Sequence, residues 1–343
     1  MSTKNYHIFQ PFEKDGKKYA AIPKKVMKSE KVPSINDLTV IDKNDMNSIT
    51  KKLESYGICI VKKYLNAAQC GKIKTELQPH YYRKSEWNGS PFPKETTVVT
   101  RAVLKSPTCL EKIACDDMFY KVSHHFLSES NIFWIGDGNL RSSSSDVQLY
   151  SGIIYRVGPG AHEQMYHRED MSLHNVHPSR KEYHYGDDTQ LGLAIALTPM
   201  NKNNGATRAI IGSHLWGPLD GPGQYDKNME IYLELDEGDA AFMLGTTYHA
   251  ASANESDADR IGAFFFMNKS YQKQEENYHV DTPTSFFENL SFQALKVLGL
   301  HTSLPFCGHI DYTSPAFKLN PKLKEASTLS KGNYTEIIYP SFE

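Results

Sequence analysis

Long apolar runs are missing from this 343-residue chain. No segment approaches the roughly 20 consecutive apolar residues that a membrane-spanning helix requires. The Lys-rich N-terminus also lacks the apolar core of a signal peptide, so a cytoplasmic protein with no membrane partner is expected. An excess of charge is missing too. Thirty-eight basic residues stand against 40 acidic ones, without a long run of either, which excludes the basic footprint of a nucleic-acid binder. Cysteine is scarce: Cys59, Cys70, Cys109, Cys115 and Cys307 are odd in number and form no CxxC. A disulfide framework does not fit, and reduced thiols are expected. Internal repeats, low-complexity tracts and linkers are absent as well. One domain is therefore expected, and 39% hydrophobic residues are ample for its core.

What is present changes character along the chain. The first 44 residues are polar, with prolines at 11, 23 and 33, and read as a peripheral arm or edge strand. Met46, Ile49 and Leu53 then recur at helical spacing until Gly57 stops them. Residues 58–61 are a short buried strand, and Asn66 caps a second helix running to Leu77. Residues 96–104 alternate as a strand, and 106–127 read as one helix. From residue 147 the pattern becomes short strands punctuated by glycine. They cover 153–157, 191–197, part of 204–216, 230–235, 240–244 and 260–267. A helix after Thr282 carries Phe287, Leu290, Ala294, Leu295 and Leu298 on one face, and a Pro- and aromatic-rich tail follows. This spacing predicts a mainly β fold with flanking helices and a jelly-roll core, the cupin-like double-stranded β-helix. The core should span 45–310, between an arm at 1–44 and a tail at 311–343.

The chemistry concentrates between Gln164 and Arg260. His167-x-Glu169 places two metal-ligating side chains at i and i+2, which share a face of a β-strand. A second imidazole, His249, follows an apolar strand ended by Gly245. Two imidazoles and one carboxylate form the facial set that leaves positions open on a non-haem iron. Arg260, eleven residues further on, is suited to hold the carboxylate of an organic acid on the same metal. Asp170, at i+3, points to the opposite strand face and is read as an outer partner or an ion pair. A zinc-protease reading of His162-Glu163 with His167 fails. That motif needs histidines four apart on a helix; here they are five apart, just after Gly158-Pro159-Gly160. His174, His177 and His184 fall in a polar loop and are expected at the surface.

At this point the sequence resembles the phytanoyl-CoA dioxygenase superfamily, in particular its fungal natural-product branch. Gln164-Met-Tyr-His-Arg-Glu-Asp170 resembles the family's Q-x-x-H-R-D-D metal motif. Residues 204–216 resemble N-G-A-T-R-x-x-P-G-S-H-x-W, with Ile211 in place of the proline. Residues 56–65, the 245–249 segment with Asn254 and Arg260, and residues 298–308 match further family segments. The resemblance implies Fe(II) held by His167, Glu169 and His249, with 2-oxoglutarate as co-substrate and O2 as oxidant. Arg260 would clamp the 2-oxoglutarate carboxylate, with Gln164 and Thr207 as further contacts. Glu169 replaces the usual Asp by a longer acid, and keeping a carboxylate argues against a halogenase. The implied reaction oxidises an apolar small molecule, releasing succinate and CO2, in an enzyme expected to be a homodimer. Two rivals remain: a non-catalytic jelly-roll partner subunit, and a cupin-type metalloenzyme that uses no 2-oxoglutarate.

Overall fold

Residues 190–197 show how the sequence builds its sheet. Leu191, Leu193, Ile195 and Leu197 alternate along the strand, and all four are buried in the main apolar core. Each such side chain contributes roughly 1.5–3 kcal/mol by leaving water. On the other face Gly192 lets the Phe266 ring lie against the backbone, where a Cβ would come within 2.8 Å of that ring. The structure is a computed structural model that describes residues 12–19, 27, 32–81, 92–223, 225–323 and 335–336.

Ten strands position the site. In chain order they are β1 (Thr39–Val40), β2 (Ile58–Val61), β3 (Thr96–Val99), β4 (Val147–Val157) and β5 (Gln190–Ala196), then β6 (Thr207–Ile210), β7 (Glu230–Tyr232), β8 (Ala240–Leu244), β9 (His249–Ala251) and β10 (Arg260–Lys269). Seven of them form one sheet in the order β1-β2-β8-β5-β10-β4-β3. It is antiparallel except at the short β1-β2 pair. β7, β6 and β9 form a smaller antiparallel sheet. Together the two sheets are the expected jelly roll, with helices flanking it. Behind the larger sheet, the helices Met46–Tyr56, Ala67–Leu77 and Asp117–Leu127 bury Leu53, Ile73 and Phe119 against Phe242 and its neighbours. Asp45 and Asn66 cap the first two helices at their N-termini, and Gly57 at φ +79° ends the first.

Local chemistry overrides the sequence pattern in several places. The strand expected over 96–104 stops at Val99, because Arg101 takes a left-handed φ of 48° and a short helix follows. The helix expected over 106–127 is divided. Ser106 caps a first turn beginning at Pro107, and Asp116 caps a new helix at Asp117 by accepting from Met118 and Phe119. Ser291 likewise restarts the helix expected after Thr282, giving Thr284–Glu288 and Phe292–Val297. The hairpin Ser130–Ile135 and Asn139–Ser144 went unread, since Ile132 and Trp134 are exposed and no alternation toward a core marks it.

Leu38 and Val40, within the expected arm, are buried against the sheet. Positions 1–11, 20–26 and 28–31 of that arm lie outside the described residues, as do 324–334 and 337–343 of the expected tail. All five cysteines are free thiols. Among the described residues no helix is long and apolar enough to cross a membrane.

Candidate metal centre and its cleft

His167 and His249 face each other as an antiparallel bridge. Each backbone N–H donates to the other's carbonyl at 3.0 Å. The pair extends the smaller sheet by one residue beyond β9 and brings the two ring centroids to 4.6 Å. The extended backbone through His-x-Glu continues for one step only. Arg168 is extended (φ −118°, ψ 140°), so Glu169 returns to the face of His167, but Glu169 itself opens a 3-10 turn, Glu169–Leu173. Asp170 points away, where Arg168 and Asn175 hold it in a buried cluster.

The donor atoms converge. Glu169 Oε1 lies 3.1 Å from His249 Nε2 and 3.5 Å from His167 Nε2, and one donor atom from each residue lies within 4.8 Å of the others. Donors about 2.1 Å from a shared metal at right angles stand about 3 Å apart, so the set fits a transition-metal ion. Both imidazoles are oriented from behind. His167 Nδ1–H donates to the Met165 carbonyl at 3.0 Å and His249 Nδ1–H to the Thr247 carbonyl at 3.1 Å. That arrangement leaves each Nε2 lone pair for a ligand bond. Burial works against the Glu169 anion, yet the two histidines beside it bring its pKa down to about 2. The carboxylate is therefore an anion throughout the physiological range.

A cleft between the sheets is lined by these three side chains together with Gln164, Thr207 and Arg260. The larger sheet supplies its walls by alternation: Ile153, Tyr155 and Val157 from β4, and Arg260, Phe264 and Phe266 from β10. Arg260 is only 1% exposed. It donates to the Gly205 carbonyl at 2.6 Å, its Nε has no partner, and no carboxylate pairs with it among the described residues. Burial brings its pKa down to about 10, with Tyr155 acting the other way, so it remains a cation at neutral pH. Gly205 needs its φ of +88°, and a Cβ there would sit 3.0 Å from the Ser252 carbonyl.

Gln164 accepts from the Ala251 N–H at 3.0 Å through Oε1, leaving its amide N–H groups to the cleft. Thr207 is buried at the start of β6, beside Ala251. All six residues singled out from the sequence thus meet in one place. Lining residues that were not singled out include Ser252, with a buried unpaired hydroxyl, and Phe92, Tyr155 and Glu275. Nothing local marks them, because only the sheet register and a distant turn bring them here.

Of the three loop histidines expected at the surface, His177 is buried, beside the Arg168 cluster. His214 is buried too. Its ring lies against Gly57, and its Nε2–H donates to the Glu54 carbonyl at 3.0 Å. Burial depresses its pKa to about 4, against the pull of that carbonyl. Since the folded state resists protonation, this contribution is complete above the ordinary pKa of 6.5 and is lost as pH falls toward 4. The stability gap between wild type and His214→Gln should narrow by on the order of 3 kcal/mol from pH 7 to pH 4. Urea melts at the two pH values measure it, and a constant gap would contradict a buried neutral imidazole.

A family model described as phytanoyl-CoA dioxygenase (PhyH) matches residues 53–262. The chain is 46% identical to an uncharacterized protein of Saccharomyces cerevisiae over 98% of both chains. It is 32% identical to dioxygenase cnsJ of Penicillium expansum, over 78% of this chain and 80% of the relative. Against dioxygenase himG of Aspergillus japonicus it is 31% identical, over 85% and 91% respectively. Among solved structures, the epimerase SnoN in complex with Fe3+, alpha ketoglutarate and nogalamycin RO superposes with a TM-score of 0.52. That match has 15% identity and covers 71% of this chain and 93% of the other; it is a likeness of fold.

Proposed function

The chain belongs to the phytanoyl-CoA dioxygenase family, and on that premise we propose that it is an Fe(II)- and 2-oxoglutarate-dependent dioxygenase acting on a small, largely apolar molecule. One observation carries the proposal. A three-donor metal set and a buried arginine without a carboxylate partner share one cleft. A cupin-type enzyme without 2-oxoglutarate has no use for that arginine, and a non-catalytic subunit has no use for either feature.

In this reading Nε2 of His167, Nε2 of His249 and the Glu169 carboxylate hold iron. The Met165 and Thr247 carbonyls fix both rings in the tautomer that binds it. Arg260 receives the distal carboxylate of 2-oxoglutarate. The Gln164 amide and the Thr207 hydroxyl offer further hydrogen bonds within the cleft. The chemistry that iron supplies with 2-oxoglutarate is the four-electron reduction of O2: one oxygen atom goes into succinate as CO2 leaves, and a substrate C–H bond is oxidised. Phe92, Tyr155 and Phe264 form an apolar wall that seats the substrate and keeps water out. The family resemblance also supports a homodimer acting in the cytoplasm on a natural-product intermediate.

The test is a calorimetric titration of 2-oxoglutarate into protein loaded with Mn(II), a stand-in that does not react. Binding should require the metal and should weaken strongly for glutarate, which lacks the keto oxygen. Binding that ignores the metal, or no binding, contradicts the proposal. The acid can be tested separately. Glu169→Ala should lose the metal, whereas Glu169→Asp keeps an oxygen donor and retains measurable iron binding by equilibrium dialysis. Asp170→Ala should keep the metal and lose folding stability through the orphaned Arg168. The opposite outcome for the two positions would make Asp170 the ligand.

A further inference from the structure

The three metal-ligating groups are not held alike. His167 and His249 are locked together by the backbone bridge between them, and each ring has a carbonyl behind it. Glu169 has neither support. It opens the turn Glu169–Leu173, which no side chain caps at its N-terminus. Its stem also has one more methylene to order than that of an aspartate. A carboxylate on such a stem is delivered reliably only when the backbone that carries it is fixed.

The bonds that fix it grip one peptide group, the link between Glu169 and Asp170. Its N–H donates to the Gly245 carbonyl at 3.3 Å. Its carbonyl accepts from the Ser172 hydroxyl at 2.9 Å. That bond uses the only proton of the hydroxyl, so Ser172 Oγ is an acceptor toward every other neighbour. The Tyr150 hydroxyl of β4 donates to it at 2.8 Å, and the Gln190 amide of β5 approaches it at 3.5 Å. Tyr150 and Gln190 are both buried in the larger sheet. Two hydroxyls in series therefore tie the turn that carries Glu169 to β4. Neither Tyr150 nor Ser172 lines the cleft, so an effect of these hydroxyls on a bound metal passes through Glu169.

We propose that Tyr150, acting through Ser172, is a positioning residue for the Glu169 ligand. This deepens the dioxygenase reading and rests on its assignment of Glu169 to the metal. The orientation of the peptide group after Glu169 sets the direction in which the side chain leaves the backbone. With the link in place the group is held at both its oxygen and its nitrogen. Without it the 3.3 Å bond to Gly245 remains alone on that group, and the carboxylate oxygen has to be ordered by the metal itself. The link thus gives the longer acid the fixed origin that the histidines receive from their bridge.

The experiment titrates Mn(II) into the metal-free full chain, reading the free ion by electron paramagnetic resonance, with the metal-free melting temperature measured beside it. Tyr150→Phe deletes a single oxygen and should weaken Mn(II) binding about tenfold, the low end of what losing an outer partner of a metal ligand costs. Ser172→Ala should do the same, while Ser172→Thr, which keeps the hydroxyl, should retain most of the affinity. Because the hydroxyls act in series, Tyr150→Phe should cost little further in the Ser172→Ala background. The metal-free variants should melt within about 4 °C of wild type, as the loss of one hydrogen bond allows. A bond that serves the fold alone would lower the melting temperature and leave Mn(II) affinity unchanged. That outcome overturns the proposal, as do additive losses in the double variant. His249→Ala keeps the two claims apart. Wild-type protein that fails to bind Mn(II), or His249→Ala that binds it normally, counts against the metal centre itself. Wild-type binding that is lost in His249→Ala and unchanged in Tyr150→Phe counts against the link alone.

Discussion

Replacing Arg260 with alanine is expected to leave iron binding intact while raising the 2-oxoglutarate requirement by roughly 30- to several-thousand-fold. That range corresponds to the roughly 2–5 kcal/mol lost when one partner of a desolvated charge pair is removed. The structure explains why the loss should be so large. The guanidinium is fully enclosed, is anchored at one end by the Gly205 carbonyl, and keeps an unpaired Nε. Two parallel hydrogen bonds to a carboxylate suit its planar fork, and Lys cannot reproduce them, so Arg260→Lys should fall between wild type and alanine. Deleting an enclosed charge also removes its desolvation cost, so the metal-free variant should melt no lower than the cavity alone requires. Titrating 2-oxoglutarate into the Mn(II)-loaded variants gives both affinities. An unchanged requirement in Arg260→Ala would leave Arg260 as a structural strand end.

The second large effect belongs to the histidines. His249→Ala should abolish iron binding and turnover, and His167→Ala should do the same. The loss should exceed the roughly 10–100-fold that removing an outer partner of a metal ligand costs. Folding should change little. The bridge between the two residues is made by backbone atoms, and each ring makes one side-chain bond to a carbonyl, worth about 1 kcal/mol. Metal content after dialysis, read beside a thermal melt, separates a lost ligand from a lost fold. Normal iron content in either variant would refute the ligand set.

Much of this was legible in the chain because it is written in local patterns. The alternation of Leu191, Leu193 and Ile195 gave a strand with one core face, and that face is buried as expected. Gly57 and Asn66 marked helix ends through left-handed geometry and capping. The six candidate site residues lie in short motifs, and they do share the cleft. What stayed hidden depends on distant partners. Ser106, Asp116 and Ser291 divide helices because their side chains accept backbone N–H groups that a longer helix would have used. His177 looked like a loop residue and is buried only because the loop folds back over Arg168 and Asp170. Glu275 is one of 40 acids in the sequence. Only the bond from its backbone to Tyr150, 125 residues earlier, and the three that neighbouring Glu276 accepts from Arg101, Gly152 and Tyr278 put it on the cleft wall.

Anaerobic titration of the metal-free protein, first with Fe(II) and then with 2-oxoglutarate, tests the central claim most directly. A 2-oxoglutarate chelated to iron held by His167, Glu169 and His249 should produce a visible metal-to-ligand charge-transfer band. The band should saturate at one equivalent of each component, be absent from His249→Ala, and need far more 2-oxoglutarate in Arg260→Ala. A wild-type protein that binds Fe(II) yet develops no band at saturating 2-oxoglutarate would contradict the account.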